Sequence, residues 1–132
     1  IIQYKAGATN KAAVVRFRVG QGLSETSTQE QIVLLRKTAA ATVSSFTPIE
    51  NDPDGPVAFG AGGTAATGIT ASAEGTDGDL LVDASFNILN GFEWVRSDRY
   101  EIMIPAAGII ALKFPVAPAS ATWRAQLVIE EF

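Results

Sequence analysis

The chain has 132 residues and a formal charge of −4 at neutral pH, and it contains neither histidine nor cysteine. Without histidine no side chain has an unperturbed pKa near neutrality. Without cysteine there is no thiolate, no disulfide and no Cys or His ligand for zinc, so ordinary imidazole, thiol and zinc chemistry are excluded. A hydrophobic fraction of 47% against 18% charged residues excludes a disordered chain, and 12 Gly with 6 Pro place many turns between short elements.

The length suits one domain with one core. No stretch reaches the roughly eighteen apolar residues of a membrane span, and Ile1-Ile2-Gln3-Tyr4-Lys5 lacks the layout of an export signal, so a soluble chain is expected. Charge is distributed unevenly. Residues 1–37 hold Lys5, Lys11, Arg16, Arg18, Arg36 and Lys37 against Glu25 and Glu30, whereas residues 38–83 hold seven acids and no base. Such charges commonly solvate loops and outward strand faces. Their segregation also suits head-to-tail contact between like subunits or with a larger charged assembly. The bases form no dense aromatic-basic cluster, so no nucleic-acid partner is expected.

Taken in chain order, Ile1, Ile2 and Tyr4 form an apolar leader before the small and polar Ala6-Gly7-Ala8-Thr9-Asn10. This reads as a short strand on a hinge: an N-terminal arm over residues 1–10 that docks on a neighbouring subunit or a larger surface. Val15, Phe17 and Val19 alternate with Val14, Arg16 and Arg18 as a half-buried strand that Gly20 and Gly22 end. Residues 28–38 admit two readings. Ser27-Thr28-Gln29-Glu30 has the form of a helix capping box, but Ile32-Val33-Leu34-Leu35 is short, unbroken and partly β-branched, which favours a strand buried on both faces. Val43 to Ile49 reads as a further strand, with Pro48 placing its end near an edge.

Between Glu50 and Asp79 large apolar residues nearly vanish, and residues 51–79 are expected to run mostly as irregular surface chain at a contact, with Thr67 to Ala73 the one stretch resembling a strand. Asn90-Gly91, flanked by Ser85–Leu89 and Phe92–Val95, predicts a two-residue hairpin turn. Tyr100, Ile102 and Ile104, then Ile110, Leu112 and Phe114, then Trp123, Ala125, Leu127 and Ile129 give three more alternating segments, which read together as a meander.

Four patterns invite chemistry. Asp52-Pro53-Asp54-Gly55 and Asp77-Gly78-Asp79 suggest calcium, but the spacing lacks the ladder of acids and terminal Glu of a calcium loop, and these are ordinary turn residues. Gly60-Ala61-Gly62-Gly63-Thr64 lacks the Gly-Lys-Ser/Thr of a phosphate loop. Trp94, Tyr100 and Trp123 share faces with aliphatic residues, which suits core or interface positions better than a stacking platform. Adjacent Glu130 and Glu131 point to opposite faces of a strand, and Glu93 and Glu101 alternate outward, so no carboxylate pair suits glycoside hydrolysis. No catalytic residue, cofactor or metal is assigned.

Asn90-Gly91-Phe92-Glu93-Trp94-Val95, Ile104-Pro105-Ala106-Ala107-Gly108-Ile109-Ile110-Ala111-Leu112 and the closing Leu127-Val128-Ile129-Glu130-Glu131 resemble the C-terminal half of small virion proteins of tailed bacteriophages, of the capsid decoration or cement class. The resemblance is one of texture and transfers no individual residue's role. It implies a β-rich protein without catalysis, located on the capsid surface of the virion, bound to the major capsid protein and to copies of itself, with a trimer as the expected homo-oligomer.

The sequence therefore predicts an all-β sandwich, jelly-roll-like, with roughly eight short antiparallel strands. Phe17, Val19, Ile102, Ile104, Leu112, Phe114, Leu127 and Ile129 are its expected core, and Ile1, Ile2, Tyr4, Asp52, Asp54, Asp77 and Asp79 its expected interface. The alternatives are a sugar- or receptor-binding sandwich of a virion spike or fibre, and a tail or head-completion component. Exposure of Trp94 or Trp123 in a shallow groove would favour the sugar reading.

Overall fold

A computed structural model describes residues 2–22, 27–45, 49 and 68–132. Among these the chain is all β, with ten strands: β1 (Ile2–Lys5), β2 (Ala12–Gln21), β3 (Gln29–Ala39), β4 (Thr42–Ser45), β5 (Gly68–Ala73), β6 (Thr76–Asn87), β7 (Phe92–Val95), β8 (Ile102–Ile104), β9 (Ile109–Lys113) and β10 (Trp123–Glu131). They form a six-stranded sheet, sheet A, in the order β4-β5-β1-β9-β3-β6. Sheet B has four strands, with β2 between β10 on one side and β7 and β8 on the other. Every pairing is antiparallel.

The two sheets face each other across one core. Tyr4, Ile32, Leu34, Phe86, Ile110 and Leu112 enter it from sheet A, and Ala12, Val14, Phe17, Val19, Ile102 and Ile104 from sheet B. A run of ring contacts crosses it, from Phe114 through Trp123, Phe86, Phe92 and Phe17 to Trp94 and Tyr100. Of the expected core, Phe17, Val19, Ile102, Ile104 and Leu112 are buried. Phe114, Leu127 and Ile129 pack against the core half-buried, because β10 is an edge strand and Phe114 lies just past the end of β9.

The segment at 28–38 is a strand, with Ile32, Val33, Leu34 and Leu35 all buried. The alternation in β2 does not run unbroken. The pairing steps from Val128↔Arg16 to Ile129↔Val14, leaving Val15 as an extra residue, so Val14 and Ala12 face the core along with Phe17 and Val19.

The expected meander and its hairpin are corrected. β6 lies in sheet A and β7 in sheet B, so Asn90-Gly91 turns the chain between sheets, with Asn87 O accepting from the Asn90 and Gly91 amides and Gly91 at φ 69°. Pro105–Gly108 likewise carries the chain from β8 in sheet B to β9 in sheet A, and β10 returns to β2. Buried Ile88, Ile102, Ile104 and Ile110 anchor strands on both sides of these turns, and a flat meander would leave half of them without a facing sheet.

Sheet A is rolled. Only Ala40 and Ala41 join β3 to β4, yet β4 lies four strands from β3 in the sheet order. In a flat sheet that distance is about 19 Å, and the link spans at most about 11 Å. The registers explain the closure. Ala39↔Thr76 and Thr42↔Ala73 belong to one continuous ladder, so β3–β4 and β5–β6 are the two strands of a single long ribbon, bent where Ala40-Ala41 faces Glu74-Gly75. The far half of the ribbon returns so that β5 pairs with β1, at Gln3↔Gly68.

Inside the roll a second small cluster of Val33, Leu35 and Ala111 is buried. There the Gln3 side chain, 0% exposed, accepts the Ala41 amide at 2.7 Å and donates to the Ala41 carbonyl at 3.4 Å. Gly75, at φ 68°, forms the other side of the bend. A Cβ there would sit 2.4 Å from the Ala39 carbonyl oxygen.

The N-terminal arm is the largest correction. β1 runs inside sheet A between β5 and β9, and Ile2 and Tyr4 are buried in the chain's own core. Apolar side chains at alternate positions served the parent sheet, not a neighbour. The strand-like stretch at Thr67 to Ala73 is seen as β5, whereas the irregular chain expected up to residue 79 is corrected at 76–79, which open β6; residues 51–67 lie outside the described residues.

Two outcomes follow. Removing residues 1–6 strips the strand between β5 and β9 and is expected to abolish the cooperative unfolding transition seen by circular dichroism. Gly75→Ala combines left-handed strain with a backbone clash and is expected to cost about 2–4 kcal/mol in urea denaturation.

Candidate interaction surfaces

At the mouth of the roll the bend positions four charges. The Lys37 side chain is fully buried and its Nζ lies 2.7 Å from Asp77 Oδ1, while also donating to the Glu74 carbonyl. Lys113 Nζ lies 2.6 Å from the other Asp77 oxygen and 3.2 Å from Glu74 Oε2. The register sets Lys37 beside Asp77 across β3 and β6, while Lys113, opposite Val33 on β9, reaches the same carboxylate from four residues along the sheet.

Hydrogen bonds from Lys113 and then Lys37 hold the Asp77 carboxyl below its ordinary value. Burial pulls the Lys113 ammonium down, but its bonds to Asp77 and Glu74 outweigh that and leave it raised. The cluster is therefore neutral overall and satisfied, and it ties the bend to β9.

A second set of charges lies on the outer face of sheet B. Phe17 and Val19 point inward, which turns Arg16, Arg18 and Gly20 outward. On β10 the cross-strand partners Arg124↔Gly20, Gln126↔Arg18 and Val128↔Arg16 place Arg124 on the same face. β7 adds Glu93 opposite Arg18. Glu93 lies 3.7 Å from Arg16, and Arg16 also reaches Gln126 at 3.5 Å.

Arg18 and Arg124 make no ion pair among the described residues. They flank a shallow basin of about 480 Å³ along which Gly20 and Gly91 stand side by side. With Gly20 on β2 and Gly91 just before β7, no side chain covers the sheet there, so the guanidinium groups stand above a low floor.

The structure disperses the expected interface. Ile2 and Tyr4 are core. The Tyr4 phenol donates to Glu131, and burial, then that bond and its charge, push its pKa above the ordinary value. Ile1, Asp52 and Asp54 lie outside the described residues. Asp77 belongs to the ion cluster, and Asp79 is exposed on β6, the edge strand of sheet A.

The acids weighed as catalytic pairs are engaged elsewhere. Glu101 and Glu130 both bind Arg96, at 3.1 and 2.8 Å, and Glu131 accepts from Tyr4. Trp94 stacks on Phe17. Trp123 packs on Phe114 with its indole N–H on the Ala119 carbonyl, so although it borders an open cleft with Pro115 and Pro118, its ring is already in contact. Among the described residues no group of three or more acids is placed to hold a metal ion, and no helix is long and apolar enough to cross a membrane.

Sequence reasoning overlooked Arg18 and Arg124 as a pair. Each showed its outward alternation, but their proximity depends on β2 pairing with β10, more than a hundred residues away in sequence. Compared with known proteins, the chain matches no family model, no curated protein and no solved structure. Its surfaces are therefore read from their own chemistry.

Asp77→Asn leaves buried Lys37 without its counter-charge and is expected to cost about 1–3 kcal/mol, and less in a Lys37→Met background; additive losses would contradict the coupling. The folded pKa of Asp77 is depressed, so its contribution is complete above the ordinary carboxylate value and is lost as pH falls through the depressed one. The parent should therefore lose more stability than Asp77→Asn on acidification below about pH 4, as read from urea midpoints.

Proposed function

We propose that this chain is a non-enzymatic structural protein of a virion shell, binding the outer surface formed by a major capsid protein and neighbouring copies of itself, and so resisting expansion or disruption of the shell. The observation that carries this reading is charge segregated on one sandwich. Arg16, Arg18 and Arg124 occupy the outer face of sheet B, while Asp79 and Asp83 are exposed on the edge strand of sheet A.

Extended charged faces on paired strands suit contact with broad, flat surfaces, where complementary potential sets register and speeds encounter. The resemblance of residues 90–131 to capsid decoration proteins points the same way. The carboxylates of Glu93, Glu101, Glu130 and Glu131, each held by an arginine or a tyrosine, support a structural role for those residues.

Co-sedimentation with purified undecorated capsid shells tests the proposal. The protein is expected to pellet with shells at a fixed copy number per shell, to detach as salt rises towards about 0.5 M, and to raise the temperature at which shells break. Failure to pellet at low salt would overturn the capsid assignment.

A further inference from the structure

We propose that the arginine-bearing outer face of sheet B is a docking surface for the β6 edge of a second copy of this chain, giving a head-to-tail contact. The inference rests on the reading of the chain as an assembly module, but it concerns the isolated protein and needs no shell.

On the receiving side Arg18 and Arg124 make no ion pair among the described residues, and they are diagonal neighbours across the β2–β10 pair, because the β10 partner of Arg18 is Gln126 and the β2 partner of Arg124 is Gly20. Glu93 is directed to Arg16, so the face keeps a surplus of positive charge. The basin at Gly20 and Gly91 gives a backbone close access to the sheet, and the exposed Leu89 borders it.

On the donating side β6 is twelve residues long and forms the edge of sheet A. Its acids divide into two groups. Asp77 is neutralised by Lys37 and Lys113. Asp79 and Asp83 are exposed and make no ion pair among the described residues; the neutral Gln31 donates to Asp83 at 2.7 Å. Between them lies Leu80, 56% exposed.

Asp79 and Asp83 flank a bulge in β6, where the pairing with β3 steps from Leu34↔Val82 to Leu35↔Leu80, and both acids are exposed. The two exposed carboxylates are opposite in charge to Arg18 and Arg124, and an exposed leucine stands beside each set, Leu80 with the acids and Leu89 with the arginines. Unpaired acids also defend β6 against pairing with its own copy, since two such edges would bring like charges together. The arginine face does not repel it. Because the two surfaces differ, the contact is heterologous and closes into a ring or extends as a filament, according to the rotation between copies.

Sedimentation velocity on three proteins tests this: the parent, Arg18→Gln/Arg124→Gln and Asp79→Asn/Asp83→Asn. The parent is expected to form species larger than a dimer at low salt, with association weakened about 10- to 100-fold between ~0.05 and ~0.5 M salt. Each variant alone is expected to be monomeric. Mixed, they should give a 1:1 heterodimer and nothing larger, because the first keeps an intact β6 edge and the second an intact arginine face; that product also proves both variants folded.

A parent that stays monomeric at every concentration and salt would overturn the proposal. So would variants that assemble as the parent does, or a mixture with no heterodimer while circular dichroism shows both folded. Shell binding without self-association would remove this contact and leave the capsid assignment standing; self-association without shell binding would do the reverse.

Discussion

The architecture depends on a two-residue corner. Ala40 and Ala41 must carry the chain from one half of a long ribbon to the other, and a flat six-stranded sheet does not allow that span. The roll it enforces leaves the backbone of Ala41 away from solvent without a strand neighbour. Gln3 takes the place of that neighbour, with its carboxamide offering one donor and one acceptor to the one N–H and one C=O it faces. An unsatisfied amide in such a position costs about 1–3 kcal/mol, and an unpaired buried carboxamide a comparable amount, so each group makes the burial of the other tolerable. Gly75 completes the corner from the opposite strand, where no side chain fits.

The surfaces follow from the roll. Turning β4 and β5 back onto β1 brings Glu74 and Asp77 over the ends of Lys37 and Lys113, which consumes the charges nearest the bend and leaves Asp79 and Asp83, farther along β6, without a basic partner among the described residues. It also leaves β6 at the edge of sheet A. Sheet B, in contrast, is organised around one central strand whose inward face is Phe17 and Val19 and whose outward face is therefore Arg16, Arg18 and Gly20. The same period of two that builds the core places the arginines in a row.

Much of the fold was legible because alternation is a local property. The strands around Phe17, Ile102, Leu112 and Leu127, and the doubly buried strand at Ile32–Leu35, could be read from side-chain order alone. Which strands pair could not. Asn90-Gly91 and Pro105–Gly108 have the chemistry of tight turns, and tight turns they are, but whether a turn joins neighbours or crosses between sheets is decided by the burial of Ile88, Ile104 and Ile110 on facing sheets. Ile2 and Tyr4 were misplaced for the same reason: an apolar four-residue strand reads alike whether its sheet belongs to its own chain or another. The arginine face was hidden because its members come from opposite ends of the sequence, and the bulge at Val15 because one extra residue leaves no trace in an apolar run.

Native-state hydrogen exchange at the Ala41 amide tests the roll most directly. A corner amide held by a buried side chain exchanges only when the domain opens, so the account predicts that Ala41 shows the same opening free energy as the central strand amides of Leu34 and Leu112. Rapid exchange at Ala41, at the rate of an exposed turn amide while Leu34 and Leu112 stay protected, would contradict it and would mean that the ribbon does not close over β1.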